Sequence, residues 1–338
     1  MLFLKSYIFL FISYLILFFL TKKLNFLQSK HFSKHQKLIG SESVPQIGGL
    51  IFFIFIFINF SYFNYYLILF SFFILALGIF SDLNYLASPN KRLLLQCLII
   101  LIFLYFFDYR INDLRIHQFE HIFSSVYFKY IFTAFCILIL INGSNFIDGS
   151  NGLNLGYFFL VLLIVQILKI DNSIFIENNI ILICLIGISF LFILNFFNYL
   201  YLGDSGAYLL SFVIGNILIY LHNNNSNISP YFIALLLWYP AFENFFSIIR
   251  KKLNKISPID PDTNHLHQLI FKFLLKKNKA LNNYSNQITS LIIILYNVVI
   301  FGVSINFITK TNFMILLIIF NVLIYLVVYF YLLKKLIK

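Results

Sequence analysis

Three aspartates, Asp82, Asp148 and Asp204, each sit at the end of a long apolar run, in a short glycine-bearing polar stretch: GIFSDLNYLASPNKR, NGSNFIDGSNGL and YLGDSGAY. An ionised carboxylate placed at the centre of a membrane helix costs about 2.5–3.5 kcal/mol on insertion scales. A chain that is 61% hydrophobic and 11% charged does not retain three such groups without use. Carboxylates gathered at one membrane face suit a hard cation and a phosphate-bearing ligand, because Mg²⁺ takes oxygen donors and often binds one or two carboxylates together with substrate phosphates.

The residues around each aspartate extend that chemistry. After Asp82 comes a Ser-Pro-Asn-Lys-Arg turn, in which Pro89 bars a helix from running through residue 88. Lys91 and Arg92 follow, a point charge and a planar fork that can each hold phosphate. A helix cap with basic anchors would look the same locally. Around Asp148 lie Asn142, Asn145, Asn151, Gly149 and Gly152. Asparagine amides both donate and accept, which suits a base or a sugar amide, and small residues let backbone approach a ligand. A polar inter-helix turn is the simpler alternative. Gly203, Asp204, Ser205 and Gly206 open an apolar run and offer amide N–H groups, a carboxylate and a hydroxyl, and Asp and Ser also favour a helix N-cap. His265 and His267, two residues apart, share a face only in an extended segment and diverge on a helix. Glu243, inside WYPAFENFFSIIRKK, is an acid in an apolar setting that either pairs with a basic neighbour or orders the site. His117 and His121 have helical metal-pair spacing but no third ligand in view. The three cysteines, Cys97, Cys136 and Cys184, fall inside apolar runs and match no metal or disulfide pattern. No phosphate-binding glycine loop and no Ser-His-Asp set stands out.

The elements that must position these groups are apolar spans. A soluble domain carries about a quarter charged residues. Here the apolar runs recur from end to end at lengths of about 17–25 residues, as bilayer crossing requires. The spans predicted are 2–20, 46–60, 64–80, 92–107, 128–142, 153–169, 179–196, 205–221, 230–248, 288–307 and 313–333. That describes an all-α integral membrane protein, a polytopic bundle of about 11 transmembrane helices, treated as one domain over 1–338. The second span is short, and is expected to be tilted or partly re-entrant. The first lacks a small-residue cleavage site and is expected to stay as a helix.

Net charge is +12, which in a soluble protein would raise nucleic acid as a partner. In a membrane protein the same residues fix orientation. With the N-terminus outside, segments 21–45, 81–91, 143–152, 197–204, 249–287 and 334–338 are cytoplasmic, with 18 of the 24 Lys and Arg in or bordering them. The C-terminus is then cytoplasmic, and Asp82, Asp148, Asp204, the Pro45–Gly49 turn and the histidine pair all gather on that face. The segment 249–287 is the long loop of that side and bears the HLHQ motif.

With those motifs in order, the chain resembles the polyprenyl-phosphate N-acetylhexosamine-1-phosphate transferases, the membrane superfamily that also contains the phospho-MurNAc-pentapeptide transferase. VPQIGGL resembles the family's PxxGG turn. LGIFSDLNYLASPNKRLLLQ resembles its aspartate motif followed by SPxxRLLxQ. NGSNFIDGSNGLNLG, LGDSGAYLLSFVIG and PAFENFFSIIRKKLNKISPIDPDTNHLHQLI resemble the three motifs that follow. The departures are Ser81 where the family usually has the first of two adjacent aspartates, Asn151 where Asp is common, Glu243 where Asp is usual, and Gln268 where a second consecutive histidine is usual. The HLHQ and PQIGG patterns favour the UDP-N-acetylhexosamine branch.

The resemblance implies transfer of a sugar 1-phosphate from a UDP-N-acetylhexosamine to undecaprenyl phosphate in the bacterial inner membrane, releasing UMP and starting a cell-envelope polysaccharide such as O-antigen lipopolysaccharide or a cell-wall polymer. It implies Mg²⁺, replaceable by Mn²⁺, held by Asp204 and Asp82. Asp82, Asp148, Asp204, His265 and His267 would carry the chemistry, with Lys91, Arg92, Asn142, Asn145, Asn151, Gly203 and Ser205 binding substrate. Membrane lipid is the surrounding partner, nucleic acid is not expected, and a homodimer is compatible. Two rival classes stay open: a transporter or lipid flippase, which should carry ionisable groups at mid-span, and a transferase homologue that has lost catalysis.

Overall fold

The computed structural model describes residues 2–24, 26–28, 44–168, 175–255, 257, 263–277 and 284–337. Lys30, Lys34, Lys37, Asp171, Lys279, Lys338 and the stretch 258–262 lie outside the described residues. The described residues form helices in the order α1 (Leu2–Leu24), α2 (Gly48–Ile58), α3 (Tyr65–Asp82), α4 (Pro89–Phe106), α5 (His117–Phe123), α6 (Val126–Ile147), α7 (Leu153–Ile167), α8 (Phe175–Phe196), α9 (Gly203–Asn224), α10 (Pro230–Leu236), α11 (Trp238–Leu253), α12 (Leu266–Lys277), α13 (Ser285–Ser304) and α14 (Thr311–Ile337). Among them there is no strand, only an isolated bridge between Gln28 and Pro45. The chain is an all-α polytopic membrane protein.

Each of the eleven apolar segments expected from the sequence holds a helix, but they are not eleven equal crossings. Among the described residues, eight helices are long and apolar enough to cross a bilayer, and a ninth crossing results if α10 and α11 count as one span. The other two are short. At 1.5 Å per residue, the 11 residues of α2 and the 15 of α7 reach about 16 and 22 Å, short of a hydrocarbon core of about 30 Å. Both are packed inside protein: α7 buries eleven of its residues, and α2 buries Ile51, Phe52, Phe55 and Ile56.

The α10–α11 segment is bent by 73° at Leu237. Pro240 sits in the first turn of α11, and it could not donate to the Leu236 carbonyl in a continuous helix. A break at membrane depth must have its freed backbone groups satisfied within the protein. The buried Tyr157 hydroxyl does this, donating to the Leu236 carbonyl at 2.8 Å and accepting from Tyr239 N at 3.4 Å.

At the centre stands α9, buried around its whole circumference and packed by α2, α3, α6, α7 and α10. At the periphery α1, α4 and α14 bury only 22% of their apolar windows. Their exposed Phe, Leu, Ile and Val, such as Phe19, Leu98, Leu316 and Val327, form the surface a bilayer would cover. The contrast follows from sequence: α9 carries Gly206, Ala207, Ser211 and Gly215, small enough for neighbouring helices to approach, as membrane helix interfaces favour.

Candidate active site at the helix ends

The start of α9 is held by Asp82, the last residue of α3. Its Oδ1 accepts from Asp204 N at 2.8 Å and its Oδ2 from Ser205 N at 3.1 Å. The first N–H groups of a helix have no intrahelical partner, and a carboxylate there satisfies them and complements the positive end of the helix dipole. Two glycines permit the contact. Gly203 has φ +74, and a Cβ on it would lie 2.8 Å from Asp82 Oδ2. A Cβ on Gly78, one turn before Asp82, would lie 2.3 Å from Ser205 Cα. The α3–α4 connection then reverses direction with Asn84 in the left-handed region, at φ +62. Pro89 opens α4 at its first turn, where its missing N–H leaves nothing unpaired.

That reversal returns Arg92 to the same end of the bundle. Its guanidinium donates to Asp204 Oδ2 at 2.9 Å and to Ser81 Oγ at 2.6 Å, while Ser81 Oγ donates to Asp204 Oδ2 at 2.5 Å. Tyr208, one turn into α9, adds a hydroxyl at 3.3 Å from the same oxygen. Asp204 Oδ1 takes no hydrogen bond from the described residues. Arg92 and Asp204 are each about a quarter exposed, so the pair is open to a ligand.

Asp148 follows the end of α6, which also packs against α9 and α11. Burial, and after it the nearby carboxylates of Asp204 and Asp82, hold the Asp148 carboxyl well above the ordinary aspartate range. The histidine segment closes this side. His267 Nε2 lies 2.9 Å from where a Cβ on Gly149 would be. The two imidazoles stack with centroids 5.7 Å apart and planes 10° from parallel, and Phe146 lies against His265 at 4.9 Å. The sequence left the pair on an extended segment or on a helix: His265 immediately precedes α12 and His267 is its second residue, and α12 lies within the segment expected as a loop.

The other expected site residues divide. Lys91 is exposed beside Arg92. Asn145 is half-buried and makes no hydrogen bond within the described residues, so its amide is available. Asn142 instead ties α6 to α4, donating to Gln96 Oε1 at 3.1 Å. Asn151 is buried, donating to Asn198 while its carbonyl accepts from Ser290. Tyr208, Gln96 and Asn198 were not singled out from sequence. Tyr208 was legible as the residue one turn after Asp204, but Gln96 and Asn198 gain meaning only from their partners.

Among the described residues, no three His, Cys, Asp or Glu side chains lie together as a dedicated metal cage. Mg²⁺ does not need one, since one or two carboxylates plus substrate phosphates satisfy it. Asp204, with Oδ1 open and two further carboxylates nearby, fits that mode. A cavity of about 600 Å³ between Asp113 and Phe123 belongs elsewhere. Arg115 in its wall donates to the Ser226 and Ile228 carbonyls, beyond the far end of α9, about 33 Å of helix away from Asp204.

Residues 64–222, which contain Ser81, Asp82, Arg92, Asp148 and Asp204, match the family model described as glycosyl transferase family 4. Over that stretch, a little under half of its length, the chain is similar to glycosyl transferase family 4. Over 208 residues it is 26% identical to a Bacillus subtilis (strain 168) protein named probable undecaprenyl-phosphate N-acetylglucosaminyl 1-phosphate transferase. The alignment covers 60% of this chain and 57% of that relative. The family match ends before Glu243 and the histidine segment.

Proposed function

We propose that this protein transfers an N-acetylhexosamine 1-phosphate from a UDP-sugar to undecaprenyl phosphate at the cytoplasmic face of a bacterial inner membrane. A phosphate oxygen of the lipid bonds to the β-phosphorus of the UDP-sugar. The bond from that phosphorus to the bridging oxygen breaks, leaving undecaprenyl-diphospho-sugar and UMP. The single observation that carries this proposal is the junction of Asp82, Arg92, Ser81 and Asp204 where three membrane helices end. Support comes also from the name of the Bacillus relative.

Transfer of a phosphoryl group is mostly a matter of positioning and charge stabilisation. Asp82 fixes the start of α9 and thereby places Asp204. Asp204, with Asp82 and Asp148 close by, would hold Mg²⁺ or Mn²⁺, which supplies charge neutralisation at a diphosphate when bound. Arg92 has the bidentate fork that phosphate takes, and Lys91 adds charge at the rim. Asn145 and Asp148 face the nucleotide-sugar, and His265 and His267 line the wall beside Asp148. The lipid phosphate is already anionic at neutral pH and needs little help from a base, which makes Ser81 acceptable where the family usually has Asp. Ser81 serves instead to hold Arg92 and Asp204 together.

The test is turnover of purified protein in nanodiscs with undecaprenyl phosphate, Mg²⁺ and a panel of labelled UDP-N-acetylhexosamines. Lipid-linked sugar and UMP are expected with at least one donor. Asp204→Asn should lower turnover by roughly 10²–10³-fold with the protein still folded, the scale of losing one charge-stabilising group. No product from any donor rejects the transferase proposal, and wild-type turnover in Asp204→Asn rejects its metal role. The rival transporter would carry its ionisable groups at mid-span, whereas these sit at helix ends.

A further inference from the structure

Glu243 is fully buried in α11, yet it is not part of the carboxylate junction. Its Oε1 lies 2.9 Å from His265 Nδ1 and accepts from Leu266 N at 3.1 Å. Its Oε2 accepts from the Tyr325 hydroxyl of α14 at 2.7 Å. All three partners can donate, which is the environment of an ionised carboxylate, a group that only accepts. Nδ1 of His265 therefore carries its hydrogen, and Nε2 is the ring's remaining nitrogen. It makes no hydrogen bond within the described residues. The ring cannot tilt freely, being packed between Phe146 and His267. Phe146 is two residues before Asp148, so the ring lies at the wall of the proposed site.

Nothing about membrane packing requires this arrangement. Breaking a buried charged pair is strongly destabilising, while an apolar substitute for the whole set would often serve stability as well. A carboxylate that holds one imidazole nitrogen so that the other can act is a recurrent device for fixing tautomer and orientation.

We propose that Glu243 is a positioning residue. With Tyr325 behind it, it locks His265 in the Nδ1–H tautomer and presents Nε2 as the nitrogen that meets the substrate's phosphate oxygens. The role rests on the transferase function proposed above and extends it to a residue outside the region matched by the family model.

Two measurements on the full-length protein in nanodiscs test it. The first needs no activity. In ¹⁵N-histidine spectra, His265, assigned by loss of its signals in His265→Asn, should carry its proton on Nδ1 in the wild type. It should shift toward the other tautomer in Glu243→Gln, and an unchanged tautomer overturns the proposal. The second is a double-mutant cycle on turnover. Glu243→Gln should lower kcat roughly 10–100-fold, as expected for mis-setting a group that contacts the reacting atoms, with KM for the UDP-sugar within about threefold. Glu243→Asp should recover part of that loss. The Glu243→Gln, His265→Ala double variant should be no slower than His265→Ala alone, and losses that multiply overturn the proposal. If Glu243→Gln does not fold, Tyr325→Phe replaces it in both measurements: its smaller kcat loss should vanish in the His265→Ala background, and an equal loss with and without the imidazole overturns the proposal. If the wild type transfers no sugar phosphate, the transferase function falls, and the tautomer spectra alone decide the Glu243–His265 relation.

Discussion

Asp204 spends one carboxylate oxygen on Ser81, Arg92 and Tyr208 and keeps the other open. Asp82 spends both oxygens on the backbone of α9. Two aspartates that look alike in sequence thus do different work, one capping and one available for ligand. Asp148 is a third case, distinguished by its environment. Its carboxyl is held well above the ordinary aspartate range, first by burial and then by Asp204 and Asp82. The unfolded chain loses this proton near pH 3.9, the folded protein only at higher pH. Between those values the folded state binds more protons, so wild-type stability falls as pH rises through the window. Asp148→Asn removes the group and escapes the loss. The Tm of that variant relative to wild type should therefore climb as pH is raised from about 4 through the raised value of Asp148. A difference in Tm that is flat with pH would show that Asp148 titrates normally.

At the level of elements, the site is an accident of no single helix. It exists where α3 and α6 end and where α4, α9 and α12 begin. Close approach of α3 to α9 is the condition for all of it, and Gly78 sets that approach. In Gly78→Ala the new methyl carbon would meet backbone rather than a flexible side chain, so α3 must move away from α9. The expected cost is about 1–3 kcal/mol, the usual range for overpacking, read as a lowered Tm. Because Asp82 moves with α3, turnover should fall as well. A variant with unchanged Tm would show that the two helices are not as tightly apposed as described.

For the whole molecule, the direct contact of Asp82 with Asp204 places the carboxylate junction at one end of the bundle. Which compartment that end faces rests on the distribution of Lys and Arg. Lys91 marks the junction end, and Tyr127, at the start of α6, marks the opposite end. With the native cysteines replaced, an impermeant thiol reagent applied from outside intact cells should label Tyr127→Cys and spare Lys91→Cys. Labelling of Lys91→Cys instead would put the site on the outer face, out of reach of a cytoplasmic nucleotide-sugar.

The amino-acid sequence by itself determined the class of fold, since long apolar runs in a lipid solvent can satisfy their backbone only as helices or closed barrels, and these runs have helical length. It also marked the carboxylates, because a charge beside an apolar run is costly enough to stand out. Tertiary structure alone decided how deep each helix reaches. Hydropathy cannot tell a crossing from a short helix buried in protein, as α2 and α7 show, nor foresee that Tyr157 would satisfy the break between α10 and α11. It alone decided the partners too: Arg92 with Asp204, and Glu243 with His265. Hydrogen bonds act over about 3 Å, and residues 112 or 22 positions apart reach that distance only when the helices have packed.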